Sequence, residues 1–466
     1  MKLDQNNAEN FIQVPESASG SEIQCYYSCC IGVGLRDHQT VYKADNTHYV
    51  SSFLDYYIPY AKEVSKQRIS GRTWYWLTFA AFGVQGLYFS TWVSRTPEIQ
   101  KLLNLDTAQM GLFTLAMALG SLSGLLISGP IIARFGTRIV LICAYSAGAV
   151  FLAALGLFAE LGALPLSTIA IVLVGLSGGS GGLAINIEGA NVDRESPKSL
   201  LPSLHGAFSL GSLLGGAIGT IAIVAGISVF TNFLVMSVLV LIVTLVVCTP
   251  LPRTSGKHVH DDMNTEEIQT VATARDRRRV WREPQTLMVA FIVIGFNLAE
   301  GTASTWLPIA LVDAGLSAAI ATASYTVFAG AMAVGRLSGG PIVDKLGRSK
   351  ALLAFAAITA LGILIVILTG WVALPLVGAA LWGLGNSIGF PLCVSAVSED
   401  SRLAGTRVGV LVIASNTSGI AGPPLLGFIG QVAGLFTAFL VPFFLLLSGM
   451  LFNKATRPHK VVDARR

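Results

Sequence analysis

Runs of about twenty apolar residues recur twelve times along the chain, over residues 74–94, 109–132, 138–159, 164–188, 204–225, 229–250, 286–308, 318–343, 350–371, 372–397, 405–430 and 432–452. A run of that length is what a helix needs to cross some 30 Å of hydrocarbon. Lipid offers the backbone no hydrogen bonds, so only helices and closed barrels span it. A barrel would show segments of about ten residues alternating in polarity, whereas these runs are unbroken. The sequence predicts an all-α membrane protein with twelve transmembrane helices. Composition agrees, since 53% of the 466 residues are hydrophobic and 12% charged, too little charge to cover a soluble surface of this size.

Lys and Arg set the orientation, because positively charged loops stay on the cytoplasmic side. Sixteen fall in loops of one side, among them Arg134, Arg138, Arg253, Lys345, Arg348 and Arg407, against Arg95 and Lys101 on the other. Both termini are expected in the cytoplasm. The net charge of +5 is mostly this topology signal and calls for no nucleic-acid partner.

Residues 1–71 differ from the remainder, with mixed charge and the tyrosine-bearing patches "CYYSCC" and "FLDYYIPY". They lack the basic start, apolar core and small-residue cleavage site of a signal peptide. They read as a cytoplasmic tail, disordered or dispensable, as an over-extended start of the coding region, or as a docking segment for a regulatory partner. Six scattered cysteines do not make a disulfide framework. Cys25, Cys29 and Cys30 have no histidine within five residues, which leaves little to hold a metal.

"GPIIARFGTR" at 129–138 follows the second run, and "GPIVDKLGRS" at 340–349 follows the eighth, 211 residues later. The same offset links "GSLLGGAIG" at 211–219 with "GPPLLGFIG" at 422–430. Two tandem six-helix halves are expected, 72–250 and 286–453, joined by a central cytoplasmic loop over 251–285 and followed by a tail over 454–466.

Six plus six helices, with a G-x-x-x-D-R-x-G-R-type loop after helices two and eight, resemble the major facilitator superfamily (MFS) over about residues 72–455. "STWVSRTPEIQ", "LPSLHGAFSLG" and "LAEGTASTW" resemble its bacterial fucose-permease-like branch, in particular YbjJ-like members. The resemblance implies a multi-pass protein of the bacterial cytoplasmic (inner) membrane that works by alternating access. In the loop motif, Arg134, Gly136 and Arg138 form the first copy, with Ala133 at the acidic position. Asp344, Lys345, Gly347 and Arg348 form the second. A latch role would rest mainly on the second copy, where Asp344 can cap a helix or pair with an arginine; the alternative is a topology anchor. "GSLLGG" resembles the antiporter signature of helix five with Ser212 in place of its proline, which weakens an export reading.

An ionisable group at the bilayer centre costs on the order of 2.5–3.5 kcal/mol on insertion scales. Glu300 is the clearest case, and Asn297 and Ser304 share its helical face, expected to look into the bundle. Three roles fit it: a proton carrier, since burial disfavours the charged form; a bonded acid pinning helix seven; or a substrate ligand. Glu188 reads as a second titrating group or as an interfacial acid near Arg194. His205 reads as a proton relay or a packing residue at a helix start. Arg336, about 12 Å up its helix from Asp344, calls for an ion pair or a substrate contact near the inner gate. Amides and aromatic faces suit a sugar-like solute, with candidates Gln85, Tyr88, Trp92, Asn186, Asn297, Trp306, Tyr325, Trp382, Asn386 and Asn416. Trp92, Trp306 and Trp371 read alternatively as interfacial anchors.

The expected function is secondary active transport, with proton-coupled uptake of a small polar solute such as a sugar leading. Proton-driven export of a drug or metabolite, and a transporter-like sensor that does not transport, are the alternatives. No nucleotide loop, HExxH or nucleophile elbow points to an enzyme, so no catalytic residue, metal or cofactor is expected beyond the proton gradient. A monomer in the bilayer suffices for this fold.

Overall fold

The computed structural model describes residues 69–196, 200–253, 255–256, 278–368, 374–399 and 401–457. The expectations for the tail, including Cys25, Cys29 and Cys30, for Trp371, and for most of the central and C-terminal loops lie outside the described residues. The described helices belong to one compact unit, Gln67–Arg466, with no strand among them.

The first six runs form α1 (Gly71–Val93), a short α2 (Thr96–Leu102), α3 (Thr107–Phe135), α4 (Thr137–Glu160), α5 (Leu164–Arg194), α6 (Leu201–Val224) and α7 (Val229–Cys248). The second six form α8 (Pro284–Thr305), a short α9 (Leu307–Asp313), α10 (Ala318–Leu346), α11 (Arg348–Ile367), α12 (Leu374–Asn386), α13 (Gly389–Val397), α14 (Ser401–Ala433), α15 (Leu435–Ala438) and α16 (Leu440–Leu451). Ten spans among the described residues are long and apolar enough to cross a membrane, α12 and α13 counting as one; α1 and the pair α15–α16 complete the twelve.

The repeat is written into the backbone. Displaced by 211 residues, α2 falls on α9 and α3 on α10, end for end. Asp106 and Ser317, at matching positions, each accept a hydrogen bond from the first turn of the helix that follows. Such caps satisfy amides that have no partner inside the helix. Pro130 and Pro341 match within those helices. Both helices end at a glycine in a left-handed turn, Gly136 at φ 87° and Gly347 at φ 75°, a conformation a Cβ penalises.

Two runs expected as single helices are broken. The seventh is interrupted at Trp306, between α8 and α9, and the tenth at Ser387–Ile388, between α12 and α13. The second break matters for function, because it sets Asn386 at the end of α12 deep in the protein.

Within the first half, α5 packs on α3 and α4, and α1 on α6; within the second, α12 packs on α10 and α11, and α8 on α14. The halves meet along α6 against α10 and α3 against α14. The outward faces carry large apolar side chains such as Leu126, Ile221 and Val246, as a lipid boundary requires.

At the end bearing the basic loops, the Arg407 guanidinium of α14 donates to both oxygens of Glu283 at 2.8 and 2.7 Å, next to the start of α8. These bonds hold the Glu283 carboxyl below its ordinary value of 4.5. A depressed folded value means stabilisation that is present above the unfolded pKa and lost as pH falls through the folded one. The pair is partly exposed, so its contribution is about 1 kcal/mol or less. The melting temperature in detergent is expected to fall more steeply below pH 4.5 in the wild type than in Arg407→Gln.

Candidate functional site

A cavity of about 490 Å³ lies between the two halves at the middle of the long helices. Its first-half wall carries Gln85, Tyr88 and Trp92 of α1 and Ser209 and Ser212 of α6. Its second-half wall carries Asn297, Glu300 and Ser304 of α8, Tyr325 and Phe328 of α10, and Asn416 of α14. The helical spacing that groups Asn297, Glu300 and Ser304 on one face is thus the face turned to the cavity.

Glu300 is held by two neighbours. Arg336 Nη2 lies 3.3 Å from its Oε1, and Asn386 Nδ2 donates to its Oε2 at 3.3 Å. Through Nη1 the same guanidinium donates to Ser209 Oγ at 2.8 Å. Ser209 belongs to the first half, so Arg336 ties the acid to the opposite side of the cavity. Sequence called for an ion pair or a substrate contact at Arg336 and allowed a bonded acid at Glu300, but did not pair the two, because nothing in sequence joins residues 36 positions apart on different helices. Asn386 is 3% exposed and its Oδ1 has no partner among the described residues; it reaches the acid from behind the cavity wall.

Asn297 Nδ2 donates to Ser415 Oγ, next to Asn416. Tyr88 gives its hydroxyl to Val174 O at 2.8 Å, which leaves its ring for the cavity. Gly182 leaves room for Gln85, whose Nε2 would lie 2.8 Å from a Cβ placed there.

Several expectations are corrected. Trp306 and Trp382 are fully buried away from the cavity: Trp306 packs by Gly427, and Trp382 edges onto Phe328 and Phe439. Both are core, as large rings without a polar tip at the surface usually are. Trp92 is no interfacial anchor, because it is 3% exposed, packs on Phe113 and faces the cavity. Asn186 is exposed, donates to Gly182 O at 2.7 Å and is not part of the cavity wall. His205 stands edge-on to Phe82, with ring centroids 5.3 Å apart, one turn from Ser209 and off the wall.

Glu188 is not an interfacial acid beside Arg194. It is fully buried and accepts from Trp74 Nε1 at 2.6 Å, from Ser255 Oγ at 2.6 Å and from Thr137 Oγ1. Ser255 O in turn accepts from Thr137 N at 2.9 Å. The acid therefore straps the start of the central loop to α4 and α5. Each buried donor left without its acceptor costs about 1–3 kcal/mol, so Glu188→Ala is expected to lower the melting temperature clearly, in a thermal unfolding scan, without changing solute affinity.

In the loop motif, Arg134 is exposed over Phe135, and Arg138 Nη1 reaches Leu251 O at 3.5 Å. Asp344 and Lys345 are exposed, and Asp344 makes no hydrogen bond or ion pair among the described residues. The second copy is tethered instead by Arg348, which donates to Ser395 O at 2.8 Å and pairs with Glu399.

The end opposite the basic loops is shut. Gln431 Oε1 accepts from the amides of Thr107 and Ala108 at 2.9 and 3.4 Å, Thr322 Oγ1 donates to Ser94 O at 3.0 Å, and Gly111 lies against Pro423 and Pro424. Sequence reading missed Gln431, a polar residue at a helix end that gains meaning only from the other half. At the basic end there is open space around Gly405 and Gly409 of α14, beside the Arg407–Glu283 pair that ties this helix to the start of α8.

Two repeated bundles enclosing a mid-height cavity, with helices of the second bundle broken at Trp306 and at Ser387–Ile388, form the architecture of a secondary transporter. The chain belongs to the Major Facilitator Superfamily, whose family model matches residues 75–423. It is a multi-pass membrane transporter and not an enzyme. An uncharacterised MFS-type transporter of Yersinia pestis is 29% identical over 364 residues, 78% of this chain and 90% of the relative. Among solved structures, the nucleoside transporter NupG superposes with a TM-score of 0.60 at 13% identity, covering 84% of this chain and 99% of NupG. The E. coli fucose:proton symporter FucP superposes at 0.54 and 16% identity, covering 83% and 98%. These structural likenesses establish the fold.

Proposed function

We propose that the protein couples entry of a small polar solute to entry of protons across a bacterial cytoplasmic membrane, as a monomer with both termini inside. The observation that carries this reading is the single acid among the described residues of the cavity wall, Glu300, held in a switchable pair with Arg336. A carboxylate that takes a proton gives up its claim on the guanidinium, so protonation changes the bonding across the cavity. Residues 72–250 and 286–453 act as the two rocking bodies. With the basic loops in the cytoplasm, the state described faces inward, and the contacts of Gln431 and Thr322 are the ones broken on outward opening. Amides of Gln85, Asn297 and Asn416 meet solute hydroxyls, and the rings of Trp92 and Phe328 meet its apolar face. The descriptions of FucP as a fucose:proton symporter and of NupG as a nucleoside transporter support a solute of this kind.

The test is proton movement in proteoliposomes scanned against sugars, sugar acids, polyols, nucleosides, amino acids and common export substrates. External alkalinisation on addition of one class supports uptake. Proton-driven extrusion would make the protein an exporter, and binding without any proton or solute flux would make it a sensor; either result sinks the proposal.

A further inference from the structure

We infer that the solute carries a carboxylate, which takes the place of Glu300 as the counter-ion of Arg336 when Glu300 is protonated. This inference rests on the proton-coupled reading above and names the substrate class of that cavity.

Among the described residues, the cavity wall holds one carboxylate, Glu300, and the guanidinium bonded to it is its counter-charge. The pair is neutral as it stands. A guanidinium keeps its charge at any accessible pH, so a proton on Glu300 leaves Arg336 bonded only to a neutral hydroxyl, Ser209 Oγ. The Arg336 side chain is only 18% exposed, and a guanidinium so poorly hydrated gains from an anionic partner. Among the described residues no second acid stands beside Arg336: Glu188 is engaged by Trp74, Thr137 and Ser255, Glu283 by Arg407, and Asp344 is exposed eight residues along α10. The replacement must come from solution, and a carboxylate matches the planar fork of arginine donors. Asn297, Asn416 and Gln85 then suit hydroxyls on the rest of the molecule, which points to a hydroxylated monocarboxylate such as a sugar acid.

Coupling follows from this exchange. Proton binding raises the affinity for the anion, and by reciprocity the anion raises the affinity for the proton. One proton and one monoanion crossing together move no net charge, whereas a proton with a neutral sugar does.

The other groups facing the pair are few. Ser209 and His205 come from α6, Tyr325 from α10, Asn386 from α12, and Gln85 and Tyr88 from α1; His205, Tyr325 and Tyr88 are the titratable ones among them. A charged His205 would also favour an anion, so it needs its own control.

The purified full chain is titrated between pH 5.5 and 8.5 with D-gluconate, D-glucuronate and L-lactate, and with D-glucose as the neutral counterpart. Wild-type affinity for at least one carboxylate is expected to fall by up to about tenfold per pH unit, the limit for one linked proton. Glu300→Gln, which mimics the protonated acid, should bind that carboxylate with no such slope. His205→Gln should keep the wild-type slope, and Arg336→Gln should lose the carboxylate. In proteoliposomes, uptake of the carboxylate should carry no current. If Glu300→Gln binds none of the carboxylates, or if D-glucose binds better than its acid and its uptake is electrogenic, the anion inference is overturned while proton-coupled uptake stands. If wild type and Glu300→Gln bind a carboxylate alike, without pH dependence or proton movement, both readings fall together.

Discussion

Glu300→Gln is expected to abolish accumulation against a gradient while leaving downhill exchange of solute. Glutamine keeps the shape of the side chain and an oxygen that can accept from Arg336 or Asn386, so the cavity and the fold persist. What it loses is a site that gains and releases a proton. At one proton per solute, a one-unit pH gradient supports up to about tenfold accumulation, since a factor of ten corresponds to about 1.4 kcal/mol. The whole of that factor should vanish in active uptake, whereas counterflow of labelled solute stays within a few-fold of wild type. Equal accumulation by wild type and variant would make Glu300 a structural acid. Coupling would then have to run through His205 or Glu188, neither of which lines the cavity.

The second large effect concerns packing. On α3 and α5, Gly120, Gly124, Gly175 and Gly179 let two helices touch backbone to backbone. A Cβ at Gly179 would sit 2.0 Å from Ser121 O, one at Gly175 2.0 Å from Met117 O, and one at Gly124 2.1 Å from Leu176 O. The obstacle is main chain in every case, so no rotamer change relieves it. Small residues are what allow such approach between helices in lipid, where dispersion and close contact replace the hydrophobic drive. Gly179→Val should therefore cost well above the roughly 1–3 kcal/mol of an ordinary overpacked side chain, with no monodisperse peak in size-exclusion chromatography. Gly129→Ala, on α3 with open space around the added atom, is the control expected to behave as wild type. A folded, monodisperse Gly179→Val would show that α3 and α5 can separate without loss of the bundle.

The site was legible in part, and the split has a physical pattern. Glu300, Asn297 and Ser304 could be placed on one face because helical periodicity is local, and an acid in an apolar run stands out against its cost in lipid. That Arg336 is its partner, and Ser209 and Asn386 the further contacts, depends on how helices from distant parts of the chain are set side by side. Trp306 and Trp382 show the reverse error. A tryptophan near the end of an apolar run carries the same local signal whether it anchors in the interface, lines a cavity or fills the core, and packing alone chose the core. Asp344 carried the motif's acid, yet Arg348 makes the tether, because the reach of each side chain depends on where α13 ends. The breaks at Trp306 and Ser387 lay inside runs whose hydropathy is continuous, and hydropathy does not report a change of backbone direction.

By itself the sequence determined that the chain crosses the membrane twelve times, that its halves repeat at an interval of 211 residues, and that one acid sits in the membrane on a polar face. Those properties follow from periodicity, transfer energy and glycine chemistry, each readable within a turn or two of helix. Only the tertiary structure decided that Glu300 is neutralised by Arg336, that Ser209 brings the other half to the pair, that Glu188 straps the central loop, and that Gln431 closes the far end. Those are contacts between helices far apart in the chain, and a Coulomb or hydrogen-bond energy that falls off within a few ångströms exists only once the bundle has brought them together.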